Sequence, residues 1–307
     1  MNGIDTKEPL LTISIPTYNR IEQIQKQVRN LLPQLNSLTI LVVYDNCSPI
    51  PVKSLFTNEE LKQFIIKENR MNVGGDANIA RCFEMCNTQW LWTLSDDDFI
   101  TDTAVSEILH ILRKKENSIF LNFDTDINKE TTGFDDFCKT FKKGRIYSNS
   151  YWISKCVYNI KLLKPYIYIY YQNLSSVIGQ LIIILKCLEE NKKYNCHFYK
   201  TKIIAKSPTN PSWSYSMYIY RTAQILDTLK KNKTTNSTLF KSMIQVYFYM
   251  LRNSNYTINK KIKLLSYIVY RFGFSNIIRY NSKHLIATII KIICPKIMYK
   301  LNKSINE

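Results

Sequence analysis

Over the first 125 or so residues, short apolar runs alternate with stretches in which apolar residues return every three or four positions, a pattern of strands separated by helices. Leu10–Ile15 is a β-branched run that ends at Pro16 and reads as a buried strand. From Arg20 to Leu35 the apolar positions Ile21, Ile24, Val28, Leu31, Leu32 and Leu35 keep helical spacing, and Leu38–Tyr44 follows as a second buried strand. Strand, helix, strand in this order predicts a parallel βαβ unit. Phe64–Ile66 reads as a third, shorter strand, Gly74–Cys86 as a helix with a glycine-rich start, and Trp90–Leu94 as a fourth strand. A further helix, Ala104–Lys115, leads to a strand at Ser118–Phe123. Three loops, Pro16–Arg20, Asp45–Pro49 and Asp96–Asp98, then gather at the C-terminal edge of the parallel strands, where open α/β sheets bind ligands.

After residue 125 the pattern is weaker. Thr131–Arg145 reads as a loop or short helix, Ser175–Leu188 as a helix capped by Ser175 or Ser176, and Cys196–Ala205 as an edge strand. Pro208 and Pro211 mark a boundary, so the expected domains are residues 1–207 and 208–307. Beyond it three helical faces appear: Leu239, Phe240, Met243, Ile244, Tyr247 and Leu251; Ile262, Leu265, Ile268, Val269 and Phe272; and Leu285, Ile289, Ile292 and Ile293. The fold expected is α/β, a mostly parallel sheet flanked by helices, with a C-terminal helical region.

With 307 residues, 45% of them hydrophobic, the chain can bury a full core. The eight cysteines are scattered without a CxxC pair and there are three histidines, which argues against a zinc site and for reduced thiols in a cytosolic setting. Met1–Pro9 is short and polar rather than a signal segment, and the most apolar late stretch, Ile286–Tyr299, is interrupted by Lys291, Pro295 and Lys296, so no spanning helix is expected. Charge changes the picture more. Of the net +18, nearly all lies in residues 201–307, which hold 18 Lys and Arg against Asp227 and Glu307 alone. Lys260, Lys261, Lys263, Lys283, Lys291 and Lys300 around an apolar, Tyr-rich face can lie on an anionic inner leaflet, giving a peripheral membrane position, or can face solvent. Nucleic-acid binding is the reading from a different class, but no reading motif or strand-borne aromatic platform accompanies the charge, so no nucleic-acid partner is expected.

The chemistry concentrates at Asp96-Asp97-Asp98, which closes the run Gln89-Trp-Leu-Trp-Thr-Leu-Ser95. Like charges this close repel unless a cation sits among them, and Mg²⁺ or Mn²⁺ suits carboxylate oxygens; the plain alternative is a solvated acidic turn. Together, Ile13-Ser-Ile-Pro-Thr-Tyr-Asn-Arg20, Val42-Val-Tyr-Asp-Asn-Cys-Ser48, Asn72-Val-Gly-Gly-Asp-Ala-Asn78 and Ser95-Asp-Asp-Asp98 resemble, in order, the family 2 glycosyltransferases of the GT-A fold, most of all bacterial members that build surface polysaccharides. The resemblance covers residues 10 to about 125.

It implies transfer of a sugar from a nucleotide-sugar donor, UDP-linked by expectation, to a glycan or lipid-linked acceptor, with Mn²⁺ or Mg²⁺ held by Asp96, Asp97 and Asp98. Relatives usually carry an aspartate where Ser95 stands, which leaves the register of the three ambiguous; Asp98 and Asp96 are the expected contacts, with Asp97 kept beside them. Pro16, Thr17, Tyr18 and Arg20 would line base and ribose, Asp45 would accept a pyrimidine N–H or instead close an Asx turn with Ser48, and Gly74 and Asn78 would let a helix start approach the donor, with Asp96 also reaching it. Arg81, one turn on, is as apt to face solvent as a phosphate. The late carboxylate that relatives use as general base has no counterpart in Tyr170–Ser176, so Asp124 and Asp126 stand as the candidate bases for an inverting transfer, with Asp135 and Asp136 behind them. That same gap motivates a rival reading, an inactive scaffold subunit.

Overall fold

The computed structural model describes residues 8–113, 115, 117–141, 144–207, 214–229 and 235–293. The chain divides into two compact units, Met1–Phe134 with Ser148–Asn210, and Asp135–Tyr147 with Pro211–Glu307. The predicted boundary prolines, Pro208 and Pro211, and Lys300 lie outside the described residues.

The first unit is built on an eight-stranded sheet. Its strands are β1 (Leu11–Thr17), β2 (Thr39–Asp45), β3 (Ile65–Glu68), β4 (Trp90–Thr93), β6 (Ser118–Asn122), β7 (Lys129–Thr132), β8 (Cys156–Asn159) and β9 (Asn195–Phe198), while β5 (Phe99–Ile100) pairs with β10 (Ile204–Lys206) in a separate two-stranded sheet. The order β3-β2-β1-β4-β8-β6-β9-β7 places β1 between β2 and β4. Both neighbours run parallel to β1. Chain progress therefore reverses at the β1–β4 seam, the crevice where such sheets take ligands.

The apolar runs become strands because both faces of the sheet are covered: Leu11, Ile13, Ile15, Leu41, Val43, Trp90, Leu91 and Trp92 are each at most 1% exposed. Helix Ile21–Leu31 lays Ile24, Val28 and Leu31 against this core. Pro16 does not end β1 as expected. The strand continues to Thr17, pairing Pro16 with Tyr44 and Thr17 with Asp45. This is possible because β4 leaves the ladder at Ser14, so the proline lacks a partner on that side.

The middle of the chain departs further from the sequence reading. The edge strand expected at Cys196–Ala205 is two strands: β9 sits inside the sheet between β6 and β7, and β10 leaves it to pair with β5. Thr131–Arg145 supplies the true edge, β7, then helices Gly133–Thr140 and Gly144–Asn149. Neither Ser175 nor Ser176 caps the long apolar helix. They form a 3-10 turn, Val177 turns left-handed at φ 59°, and Gly179–Glu190 starts after Ile178. The antiparallel strand β8 gave no sequence signal, since its four residues run directly from the 3-10 turn Ile153–Lys155 into the helix Ile160–Leu163.

His197, on β9, has a buried ring, with Nε2 2.7 Å from Ser118 Oγ and Nδ1 3.7 Å from Glu130. Burial, aided by Lys115 and opposed by Glu130, pushes its pKa down to about 4. The native state thus holds a neutral imidazole while the unfolded chain protonates near 6.5, so stability is full above that value and is lost as pH falls from about 6.5 to about 4. The loss amounts to at most about 3 kcal/mol. Urea titrations across this window are expected to show that slope in the wild type and a flatter curve in His197→Gln; equal slopes would contradict it.

In the second unit, helices Thr235–Asn253, Ile258–Phe272 and Phe274–Ile293 pack with Tyr215–Thr222. Of the first predicted face, Leu239, Met243, Ile244, Tyr247 and Leu251 are buried. The second face is split: Ile268 and Phe272 join Leu264 inside, while Ile262 stays exposed and Leu265 and Val269 are half-buried. No helix among the described residues is long and apolar enough to cross a membrane.

Candidate active site

The loop after β4 crosses the end of β1 and is held from three directions. Leu94 N–H donates to Ser14 O, continuing the β1–β4 ladder, and Ser95 N–H donates to Ser154 Oγ at 3.0 Å. From below, Gln27 Nε2 donates to Ser95 O at 3.0 Å and Asp98 O at 2.6 Å. Gln27 is fully buried although it is polar. Its place was open to inspection: it falls between Ile24 and Leu31 on the apolar face of its helix, where a polar side chain requires a buried partner.

Thr17 and Arg20 bridge the crevice to the aspartates. Thr17 Oγ1 donates to Asp96 Oδ2 at 2.7 Å, and Arg20 Nη1 donates to Asp96 Oδ1 at 2.9 Å and also to Asp97 Oδ2. Ser95 Oγ donates to the other Asp97 oxygen at 2.5 Å. Asp96 is nearly buried, and desolvation raises its pKa to about 6 against the opposing pull of Thr17 and Arg20. Burial by itself lowers the Arg20 pKa, but Asp96 and Asp97 more than reverse this and hold the guanidinium above its ordinary value. Asp97 is the more open carboxylate, its side chain 24% exposed against 6% for Asp96.

Asp98 is not brought together with the other two. Its Oδ2 accepts from Trp152 Nε1 at 2.7 Å and Ser154 Oγ at 2.6 Å, and the residue is 3% exposed. Ser154 is itself tied down, because Trp92 Nε1 donates to its carbonyl at 2.8 Å. Trp152 and Ser154 escaped the sequence reading, for nothing at a short 3-10 turn more than fifty positions beyond the last motif marks it as a partner of the aspartates.

Among the described residues no three His, Cys, Asp or Glu side chains converge as a metal cage. The donor set nevertheless fits a hard divalent cation of the kind held by one or two carboxylates plus substrate phosphates. Asp96 and Asp97 present hard oxygens that already converge on one positive group, Arg20.

The neighbouring loops frame the crevice. Asn19 and Cys47 adopt left-handed backbone, at φ 52° and 63°, and Asn19 N–H donates to Ser48 Oγ at 2.9 Å, joining the loops after β1 and β2. Tyr18 keeps an exposed ring, while Pro16 lies within β1. Asp45 is 1% exposed, and its two oxygens accept from the backbone N–H of Ser48 and Val52, the Asx-turn arrangement. Asn78 is likewise enclosed: its Nδ2 donates to Tyr44 O and its Oδ1 accepts from Asn69. Gly74 N–H is capped by Asn72 Oδ1, Asn72 in turn accepts from Asn46, and Arg81 donates to Asn69. Gly74 has φ 85° with no atom where a Cβ would stand, so it serves the backbone turn ahead of helix Gly75–Glu84.

Of the candidate bases, Asp124 turns left-handed at φ 55° and its Oδ2 accepts from the N–H of Ile203 and Ile204, which makes it a clamp on the connection to β10. Asp126 is exposed. Asp135 and Asp136 belong to the second unit.

The sequence profile described as Glycosyl transferase family 2 matches residues 12–162, which span β1 to β8 and every contact of the aspartate loop given above. Over these residues the chain matches glycosyltransferase family 2. Comparison with curated proteins found no match. Among solved structures, the chain is similar to S. aureus TarS, at 12% identity and TM-score 0.52 over 86% of this chain, although it spans only 44% of that protein. TarS residues 1–349 in complex with UDP-GlcNAc give 13% identity and TM-score 0.51, covering 92% of this chain and 80% of that one. The mannosyltransferase PcManGT of Pyrobaculum calidifontis, in complex with GDP-Man and Mn²⁺, gives 12% identity and TM-score 0.50, covering 95% and 89%. At such identities the likeness establishes the GT-A fold, with its mostly parallel sheet and helical C-terminal region.

Proposed function

We propose that this glycosyltransferase moves a sugar from a UDP-sugar to a hydroxyl of a bacterial surface glycan, with Mn²⁺ or Mg²⁺ between Asp96, Asp97 and the donor diphosphate. The observation that carries the reading is the convergence of two carboxylates and one guanidinium at the β1–β4 seam, spanned by the Thr17–Asp96 hydrogen bond. A bound divalent ion supplies charge neutralisation for the departing diphosphate. The protein's own residues do the rest. Thr17 fixes the orientation of the Asp96 carboxylate, Ser95 that of Asp97, and Gln27 fixes the backbone carrying both. Arg20, partly exposed and already among the aspartates, is within reach of a second anion and is assigned to the diphosphate. Tyr18, the exposed aromatic of the crevice, offers a ring face to the base. The UDP-GlcNAc complex of TarS supports a uridine donor, and the Mn²⁺ in PcManGT supports the ion.

A thermal-shift screen against UDP-, GDP-, CDP- and dTDP-sugars, each with Mn²⁺ and with EDTA, tests this. Stabilisation by a UDP-sugar that depends on Mn²⁺ is expected, worth about 2.7 kcal/mol at a ligand excess of 100-fold over Kd. Stabilisation by another base alone would replace the donor assignment, and the same shift with EDTA would remove the metal.

A further inference from the structure

The helix pair Ile258–Phe272 and Phe274–Ile293 carries an apolar face that the described residues of its unit do not cover. Helical period predicts one inward stripe, but Ile258–Phe272 has two. Leu264, Ile268 and Phe272 point into the bundle. Ile258, Ile262, Leu265 and Val269, spaced by four, three and four positions, make a second ridge, with Ile258 and Ile262 exposed. Leu265, Val269, Tyr270 and Phe274 meet Leu285 and Ile289 of the next helix around a groove of about 420 Å³. Its rim holds large apolar side chains in water: Tyr270 is 83% exposed, Phe274 59% and Ile286 57%. Scattered exposed apolar residues are ordinary, but this many around one groove mark a contact surface.

Charge identifies the occupant. Residues 235–293 contain nine Lys and Arg and no Asp or Glu. Lys263, exposed, shares a ridge with Ser266 and Tyr270, three and seven positions further on, and Lys283, also exposed, stands three positions before Ile286. Lys261 and Lys291 lie close enough that burial and their mutual repulsion lower the Lys261 pKa. A protein partner matched to this face would need a dense acidic surface around an apolar centre. An anionic bilayer offers both at once, apolar chains beneath a negative plane.

We infer that this face is a peripheral docking surface for an anionic lipid bilayer, with Tyr270, Phe274 and Ile286 entering the headgroup boundary and Lys263 and Lys283 meeting lipid phosphates. The inference is independent of the donor chemistry, because it rests on the second unit alone. It also gives the glycosyltransferase a means of staying where lipid-linked or surface-bound acceptors are.

The test is sedimentation of the full chain with phosphatidylcholine vesicles and with vesicles also containing phosphatidylglycerol, at low and high salt, without donor. Binding to the anionic vesicles alone, weakened by salt, is expected. At about fivefold per lysine, Lys263→Gln with Lys283→Gln lowers the partition coefficient on the order of 25-fold. Tyr270→Ser with Phe274→Ser abolishes retention while leaving the far-UV spectrum and the nucleotide-sugar thermal shift in place. These four positions are exposed, so the variants fold. No binding to anionic vesicles would overturn the inference, as would binding that neither double variant weakens. A wild-type dimer in sedimentation velocity that Tyr270→Ser with Phe274→Ser converts to monomer would assign the face to a second copy instead, and retention on duplex DNA at physiological salt in place of vesicles would assign it to nucleic acid.

Discussion

Asp97→Asn is expected to lower metal-dependent sugar transfer on the order of 1,000-fold while leaving the melting temperature unchanged. The two halves of this expectation come from one geometry. Asp97 is the most open of the three aspartates, and its oxygens meet only Ser95 Oγ and the half-exposed Arg20. Amide for carboxylate keeps an acceptor for Ser95 and leaves Arg20 paired to Asp96, so the loop loses little; half-exposed ion pairs contribute about 1 kcal/mol or less. The cation loses far more. With two protein carboxylates to hold it, deleting one charge halves the protein's share, and Asp96, the more buried of the two, is left alone to hold the ion. Manganese titration followed by electron paramagnetic resonance, with UDP present, measures binding apart from turnover. Wild-type affinity in Asp97→Asn would place the metal elsewhere.

Apart from the two-residue β5 and the short helix Asn58–Leu61, the order of strands and helices from β1 to β6 was legible because the buried strands there are continuous apolar runs separated by helices with one clear stripe. Beyond β6 the sheet turns antiparallel at β8, and strands of four residues no longer announce themselves by pattern. The long apolar helix Gly179–Glu190 was found but its start was not, since tertiary packing rather than a capping serine sets it. At the site, chemistry could be read but not direction. Three consecutive aspartates point to different surroundings: Asp96 towards Thr17, Asp97 towards Ser95 and Arg20, and Asp98 towards Trp152 and Ser154. Only the third set of partners comes from a segment with no motif, and that is why Asp98 could not be told from its neighbours in the sequence. Asp45 and Asn78 show the same limit: polar residues beside a ligand edge serve the loops that build the edge as readily as the ligand.

Asp98→Ala is therefore expected to behave unlike Asp97→Asn, as a stability variant. Its carboxylate receives two hydrogen bonds, one from the fully buried Ser154 and one from the indole N–H of the partly exposed Trp152 at 2.7 Å. Hydrogen bonds to a charged acceptor contribute about 1.5–3 kcal/mol each, and alanine leaves both donors without it. The sum is about 3–6 kcal/mol, a fall on the order of 10 °C in Tm for a unit of this size. Ser95 N–H also depends on Ser154 Oγ, so freeing Ser154 loosens the backbone that carries Asp96 and Asp97. Asp98→Asn keeps one oxygen for Ser154 or Trp152 and should lose about half as much. The decisive comparison is made well below both melting temperatures: Asp98→Asn should bind Mn²⁺ with UDP within a few-fold of wild type, where Asp97→Asn does not. If Asp98→Asn instead keeps wild-type stability and loses the ion, Asp98 is a metal ligand whose hold on Trp152 and Ser154 is released when the donor binds.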